Sequence, residues 1–160
     1  MSIRECRPIR RRAFLTMMAV AALTSLCPAS AADGLIAVKS PRAPAETMNR
    51  LESVVKQRGL TIFARIDHAA GAAKVGKTLR PTEVLIFGNP QGGTPFMECA
   101  QTVGIDLPLK ALVWTDAAGQ VWLGYNDPAF LAERHGATQC PAVENLKRAL
   151  AAIAQEAVGP

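Results

Sequence analysis

Leu109-Lys110-Ala111-Leu112-Val113-Trp114-Thr115 and Gln120-Val121-Trp122-Leu123-Gly124-Tyr125, joined by Asp116-Ala117-Ala118-Gly119, form the stretch that decides the fold. Two apolar, aromatic-bearing runs around an Asp/Gly turn read as an antiparallel hairpin. If Thr115 faces Gln120, Trp114 pairs with Val121, Leu112 with Leu123 and Lys110 with Tyr125. Val113 and Trp122 then pair on the opposite face. Both faces of such a ribbon are apolar. A helix must cover one, and the other needs a partner layer, a ligand or a second subunit.

Upstream, Leu35-Ile36-Ala37-Val38 is a short apolar run stopped by Ser40-Pro41, and reads as a strand. Pro44 suits the first turn of a helix in which Met48, Leu51, Val54 and Val55 recur at helical spacing until Gly59. Leu60 to Ile66 predicts a strand with Leu60, Ile62 and Ile66 on one dry face. The Ala/Gly/Lys-rich segment from Asp67 to Arg80 supports only a weak helix, capped by Asp67. Glu83-Val84-Leu85-Ile86-Phe87 is continuous enough for an inner strand buried on both faces. Thr94 followed by Pro95 then predicts an N-cap and first turn, with the helix stopping at Gly104.

Beyond the hairpin, Asp127-Pro128 opens a helix that ends at Gly136, and Pro141 opens the last one. There Val143, Leu146, Leu150, Ile153 and Ala154 form an apolar stripe opposite Glu144, Lys147, Arg148 and Gln155. The element order predicts one α+β domain over residues 34–158.

The N-terminus reads as an address. Arg11-Arg12-Ala13-Phe14-Leu15 is a twin-arginine core, followed by an Ala-rich apolar run and by Ala29-Ser30-Ala31, an A-x-A cleavage site. Residues 1–31 are therefore expected to be a cleaved twin-arginine-type signal, with the working protein in the periplasm and membrane contact confined to export. That segment holds five of the 18 basic residues and one of the 13 acidic ones, so the formal charge of +5 falls to about +1 for the remainder. The basic balance belongs to the leader and points to no nucleic-acid partner. Cys6 and Cys27 leave with the signal. Cys99 and Cys140 remain as an even pair in an oxidising compartment, which favours a disulfide over buried free thiols or thiolate chemistry.

Several segments together resemble one family. Ile66-Asp67-His68 is followed by an Ala-Gly stretch. Glu83-Val84-Leu85-Ile86-Phe87-Gly88-Asn89-Pro90 precedes Gly93-Thr94-Pro95-Phe96-Met97. Asp106-Leu107-Pro108-Leu109 leads into Val113-Trp114, and Tyr125-Asn126-Asp127-Pro128 closes the pattern. This is similar to domain of unknown function 302, over roughly residues 34–158. The resemblance implies a curved, mainly antiparallel sheet with a long C-terminal helix packed across it. It implies no activity.

No catalytic signature compensates: phosphate loop, nucleophile elbow and paired carboxylates at helical spacing are all missing from the sequence. The reading leans away from an enzyme and names no cofactor. Asp67-His68 at a strand end could bind a metal or shuttle protons, or be a cap beside a surface histidine. His135 suits the negative end of its helix. His68, His135, Cys99 and Cys140 lack finger-like spacing, so no metal site is assigned. Asn89 is either a turn residue or a ligand contact, and Met97 is core filler sooner than a copper ligand.

The hairpin register brings Asp106, Lys110, Tyr125, Asn126 and Asp127 to one end, a polar cluster beside an apolar face, with Asp67, His68 and Asn89 as candidate additions. The expected function is a small-ligand or metal-binding module, with a homodimer as one candidate assembly. The alternatives are a thiol-based sulfur or redox carrier, or a metal-dependent enzyme centred on His68.

Overall fold

A computed structural model describes residues 34–160, so the signal read from residues 1–31 lies outside the described residues. Five antiparallel strands form one sheet in the order β1-β5-β4-β3-β2. Strand β1 (Leu35–Ser40) lies at one edge, and helix α1 (Pro44–Gln57) carries the chain across the sheet to β2 (Thr61–Asp67) at the other. From there β3 (Thr82–Gly88), β4 (Leu109–Thr115) and β5 (Val121–Asn126) step back strand by strand to β1. Helix α2 (His68–Lys74) lies between β2 and β3. Helix α3 (Pro90–Cys99) and a 3-10 turn (Gln101–Ile105) lie between β3 and β4. Helices α4 (Pro128–Arg134) and α5 (Ala142–Val158) close the chain. The α+β architecture with a long C-terminal helix is as expected.

Two apolar clusters hold these layers. Met48, Leu51 and Val55 of α1, with Leu150, Ile153 and Ala157 of α5, bury one sheet face around Leu85, Phe87, Val113 and Leu123. Each of these side chains larger than alanine contributes about 1.5–3 kcal/mol on leaving water, before conformational entropy is charged against it. The second cluster joins Phe96 of α3, Val103, Leu131 of α4 and Leu146 of α5. On the opposite sheet face Trp114 and Trp122 stack with ring centroids 6.2 Å apart, both half-buried. Val84 and Ile86 share that face and are also only half-buried, so β3 is an inner strand with one fully dry side.

The hairpin register differs by one residue from the expected one. Thr115 pairs with Val121, Trp114 with Trp122, Val113 with Leu123 and Ala111 with Tyr125. Asp116 is the cause: its N–H donates to Gln120 O, leaving a three-residue loop ending in Gly119 at φ +82°. Its carboxylate accepts from Ala118 N, Gln120 N and Trp122 Nε1 at 2.8–2.9 Å. The Trp122 bond foremost holds this carboxyl below its ordinary pKa. Gly124 answers to the same register, because a Cβ there would lie 2.9 Å from the Trp114 ring.

A second correction concerns β2. A bulge between Ile62 and Ala64 breaks the alternation, so Ile62 pairs with Phe87 on the core face and Ile66 with Val84 on the other. They do not share one dry face. A third concerns α3, which starts five residues before Thr94-Pro95. Asn89 accepts from Gly92 N at 2.8 Å as its N-cap, and Pro90 takes the first turn. Pro95 lies inside the helix.

Candidate functional site

The bulge in β2 has a consequence at the surface. Phe63, the residue left without a register partner, is 57% exposed and lines an open cleft between α3 and α5. Bulges recur where a side chain must be re-aimed. The cleft has a volume of about 1050 Å³. Its lining is mostly apolar, with Leu107, Leu109 and Ile153 among the wall residues. Room exists because the facing helices carry small residues: Gly92 and Gly93 on α3, Ala142 and Ala149 on α5. Polar groups are few. Asn89, Gln91, Thr94, Glu98 and Asn145 line the cleft; the Asn89 Oδ1 is already committed to its cap and the Asn145 Oδ1 to Arg148.

The Cys99–Cys140 disulfide borders the same cleft, with Cα atoms 5.8 Å apart. It ties the end of α3 to the chain just before α5. Cys99 lines the cleft and is exposed, whereas Cys140 is only 7% exposed.

The polar cluster expected at the hairpin end does not assemble. With the true register, Tyr125 points to the core face, where it is 5% exposed, and Lys110 to the other. Burial, and then the Asp127 charge, push the Tyr125 hydroxyl above its ordinary pKa. Lys110 Nζ donates to the carbonyls of Asp106 and Pro108, holding the loop that enters β4. Asp127 accepts from Ala129 N as the cap of α4, and Asn126 is exposed at the strand end. Asp106 turns away toward α4, accepting from His135 Nε2 at 2.7 Å and from Arg134. The other imidazole nitrogen of His135 is 3.0 Å from Thr102 Oγ1. His135 thus bridges α4 to the 3-10 turn in addition to closing its own helix.

Asp67 caps α2 by accepting from Ala70 N at 2.9 Å, and His68 is exposed at the first position of that helix. Among the described residues no group of three or more His, Cys, Asp or Glu side chains is arranged to hold a metal ion. Of the residues singled out from sequence, Asn89, Met97 and Cys99 reach the cleft. Phe63, Asn145 and Ala149 were missed. A faint signal existed in the Ala142/Ala149 spacing, which places two small side chains on one face of α5.

A family model described as domain of unknown function DUF302 matches residues 36–153. The chain belongs to the DUF302 family. A crystal structure of an uncharacterized conserved DUF302 protein from Bacillus stearothermophilus has the same fold. Its TM-score is 0.71 at 23% identity, over 79% of this chain and 99% of that one.

Similarity also extends to fluoride-specific ion channel FluC 1 of Brucella suis, 51% identical over 102 residues, 64% of this chain and 40% of that protein. FluC 1 of Brucella abortus and FluC 2 of Brucella melitensis match over the same length, 38% of each. The chain thus spans about two fifths of the length of the curated relatives it matches. Among the described residues of this DUF302 chain, no helix is long and apolar enough to cross a membrane.

Proposed function

We propose that this DUF302 domain is a periplasmic binding module for an apolar or amphipathic small ligand, held in the cleft between α3 and α5. The cleft itself carries the reading: about 1050 Å³, walled mostly by apolar side chains, with Asn89, Gln91, Thr94, Glu98 and Asn145 as its polar side chains. Ligand pockets combine those traits, an apolar body for affinity and a few polar groups for orientation. The amide nitrogens of Asn89 and Asn145, whose oxygens already accept from Gly92 N and Arg148, suit a ligand with one hydrogen-bond-accepting head. The activity named for the Brucella relatives belongs to proteins more than twice as long as the matched segment. What this domain itself presents is the cleft.

Ala149→Phe tests the assignment. Ala149 is exposed on α5 and lines the cleft, so the larger ring fills ligand space without entering the core. A fluorescent fatty acid such as cis-parinaric acid should bind the wild-type protein and bind the variant at least tenfold more weakly, with unfolding midpoints unchanged. Equal affinity for both would place the binding site elsewhere.

The periplasmic setting is part of the same proposal. It rests on the twin-arginine core at residues 11–15, and a disulfide suits that compartment. Arg11→Lys with Arg12→Lys keeps the charge but removes the paired arginines, and should leave uncleaved precursor inside the cell. Undiminished mature protein in a periplasmic extract would assign export to the general secretory route.

A further inference from the structure

We propose that the segment from Ile66 to Arg80, together with the open sheet face beside it, docks on the surface of an anionic lipid bilayer. The inference goes beyond the binding reading and uses none of the residues that line the cleft. It departs from the expectation that membrane contact is confined to export. Three observations converge on it.

Apolar side chains are left in water here. Val75 is 72% exposed, Leu79 47% and Ile66 42%, three large hydrophobic residues within one short segment. Helix α2, which lies in that segment, buries no residue. Single exposed apolar residues are ordinary, whereas a group of them marks a contact surface. The loop that presents Val75 and Leu79 is anchored. Lys77 N donates to Ala72 O at 3.0 Å, and Arg80 Nε to Thr115 O at 3.0 Å.

Charge is segregated in the same place. Lys74, Lys77 and Arg80 are interleaved with Val75 and Leu79, all of them exposed, and no acidic residue lies between Asp67 and Glu83. The two flanking carboxylates are engaged, Asp67 as the cap of α2 and Glu83 with Arg65. Lys56, Arg58, Arg65 and Lys147 all pair with carboxylates. Lys74, Lys77 and Arg80 form no salt bridge among the described residues, so their charge is free for an anionic partner.

The apolar surface continues onto the sheet. Ile66 pairs with Val84 and Val84 with Leu112 on the face opposite α1 and α5, and Trp114 and Trp122 stack beside them. At the far edge the exposed Lys39 holds its Nζ 5.4 Å from the Trp122 ring centroid. The carboxylate at this end of the face, Asp116, is occupied by Trp122 Nε1 and two backbone N–H groups, with the Arg80 charge nearby. Tryptophan rings beside lysine and arginine are the composition that settles at the headgroup level of a bilayer. A neutral apolar partner would leave the cations unmatched, and a nucleic acid would leave Val75 and Leu79 in water. Anionic lipid satisfies both, its headgroups meeting the cations and its acyl layer the apolar side chains.

Both tryptophans of the chain lie on this face, so their fluorescence reports on it directly. The test titrates the full chain with vesicles whose acyl chains carry bromine near the headgroup, a short-range quencher of tryptophan. Mixed phosphatidylglycerol–phosphatidylcholine vesicles should quench at lipid concentrations at least tenfold lower than phosphatidylcholine alone, and high salt should weaken the effect. Lys74→Glu with Lys77→Glu should raise the half-quenching concentration at least tenfold. Val75→Ser with Leu79→Ser should raise it at least fivefold on the same anionic vesicles. Unfolding midpoints of these variants should match the wild type, because all four side chains are exposed. Lys56→Glu with Lys147→Glu, an equal charge change elsewhere, should leave the half-quenching concentration within twofold of wild type. Equal quenching by the two vesicle types, no quenching by either, or an equal loss in the control variant would overturn the proposal. Ala149→Phe should leave quenching unchanged, so the bilayer surface and the ligand cleft stand or fall separately.

Discussion

Phe96→Ala will lower the unfolding free energy by about 3–5 kcal/mol, the range for emptying a buried aromatic site. Phe96 is fully buried at the centre of the second cluster, where α3, α4 and α5 meet Val103 of the 3-10 turn. Large-to-small losses are greatest where the surroundings cannot collapse into the void. Here the walls are pinned from two sides. The disulfide fixes the end of α3, and His135 and Arg134 of α4 hold Asp106 just after the 3-10 turn. Urea unfolding monitored by circular dichroism gives the value directly. A loss under about 1.5 kcal/mol would mean that α3 relaxes freely and that the cleft wall is soft.

Reduction of Cys99–Cys140 will cost about as much. The two residues are 41 apart in sequence, and opening a loop of that size restores chain entropy to the unfolded state worth about 4 kcal/mol. Paired urea titrations with and without a strong dithiol reductant measure the difference. A shift below about 1 kcal/mol would show that the second cluster holds this end of the domain unaided. Both experiments act on the same wall of the cleft, so ligand retention should weaken alongside stability in each.

Local grammar carried much of the fold. Asp67, Asn89 and Asp127 are followed by helices, and each proves to be a cap whose side chain accepts a first-turn N–H. The pattern fails at α3, where Thr94-Pro95 predicts the start and Asn89-Pro90, read as a turn, supplies it five residues earlier. The long amphipathic pattern of α5 and the pairing of Cys99 with Cys140 were equally legible. Residue type and spacing set these features, and they need no knowledge of what lies across the molecule.

The candidate site was far less legible, because it depends on register. A hairpin loop one residue shorter than expected moved Lys110 and Tyr125 to opposite faces and dissolved the expected polar cluster. Side-chain alternation has period two, so any one-residue error inverts every neighbour. The bulge at Phe63 acted in the same way on β2, and no composition signal marked it.

The sequence by itself determined most of the elements, the caps Asp67 and Asp127, the disulfide partners and the α+β class, each fixed by interactions within a few residues or by the count of cysteines. Only the tertiary structure decided the strand order β1-β5-β4-β3-β2, the register, and the cleft where α3 and α5 face each other across small side chains. A cleft is the space left between elements distant in sequence. Its volume follows from how their backbones are held apart, which no local pattern records.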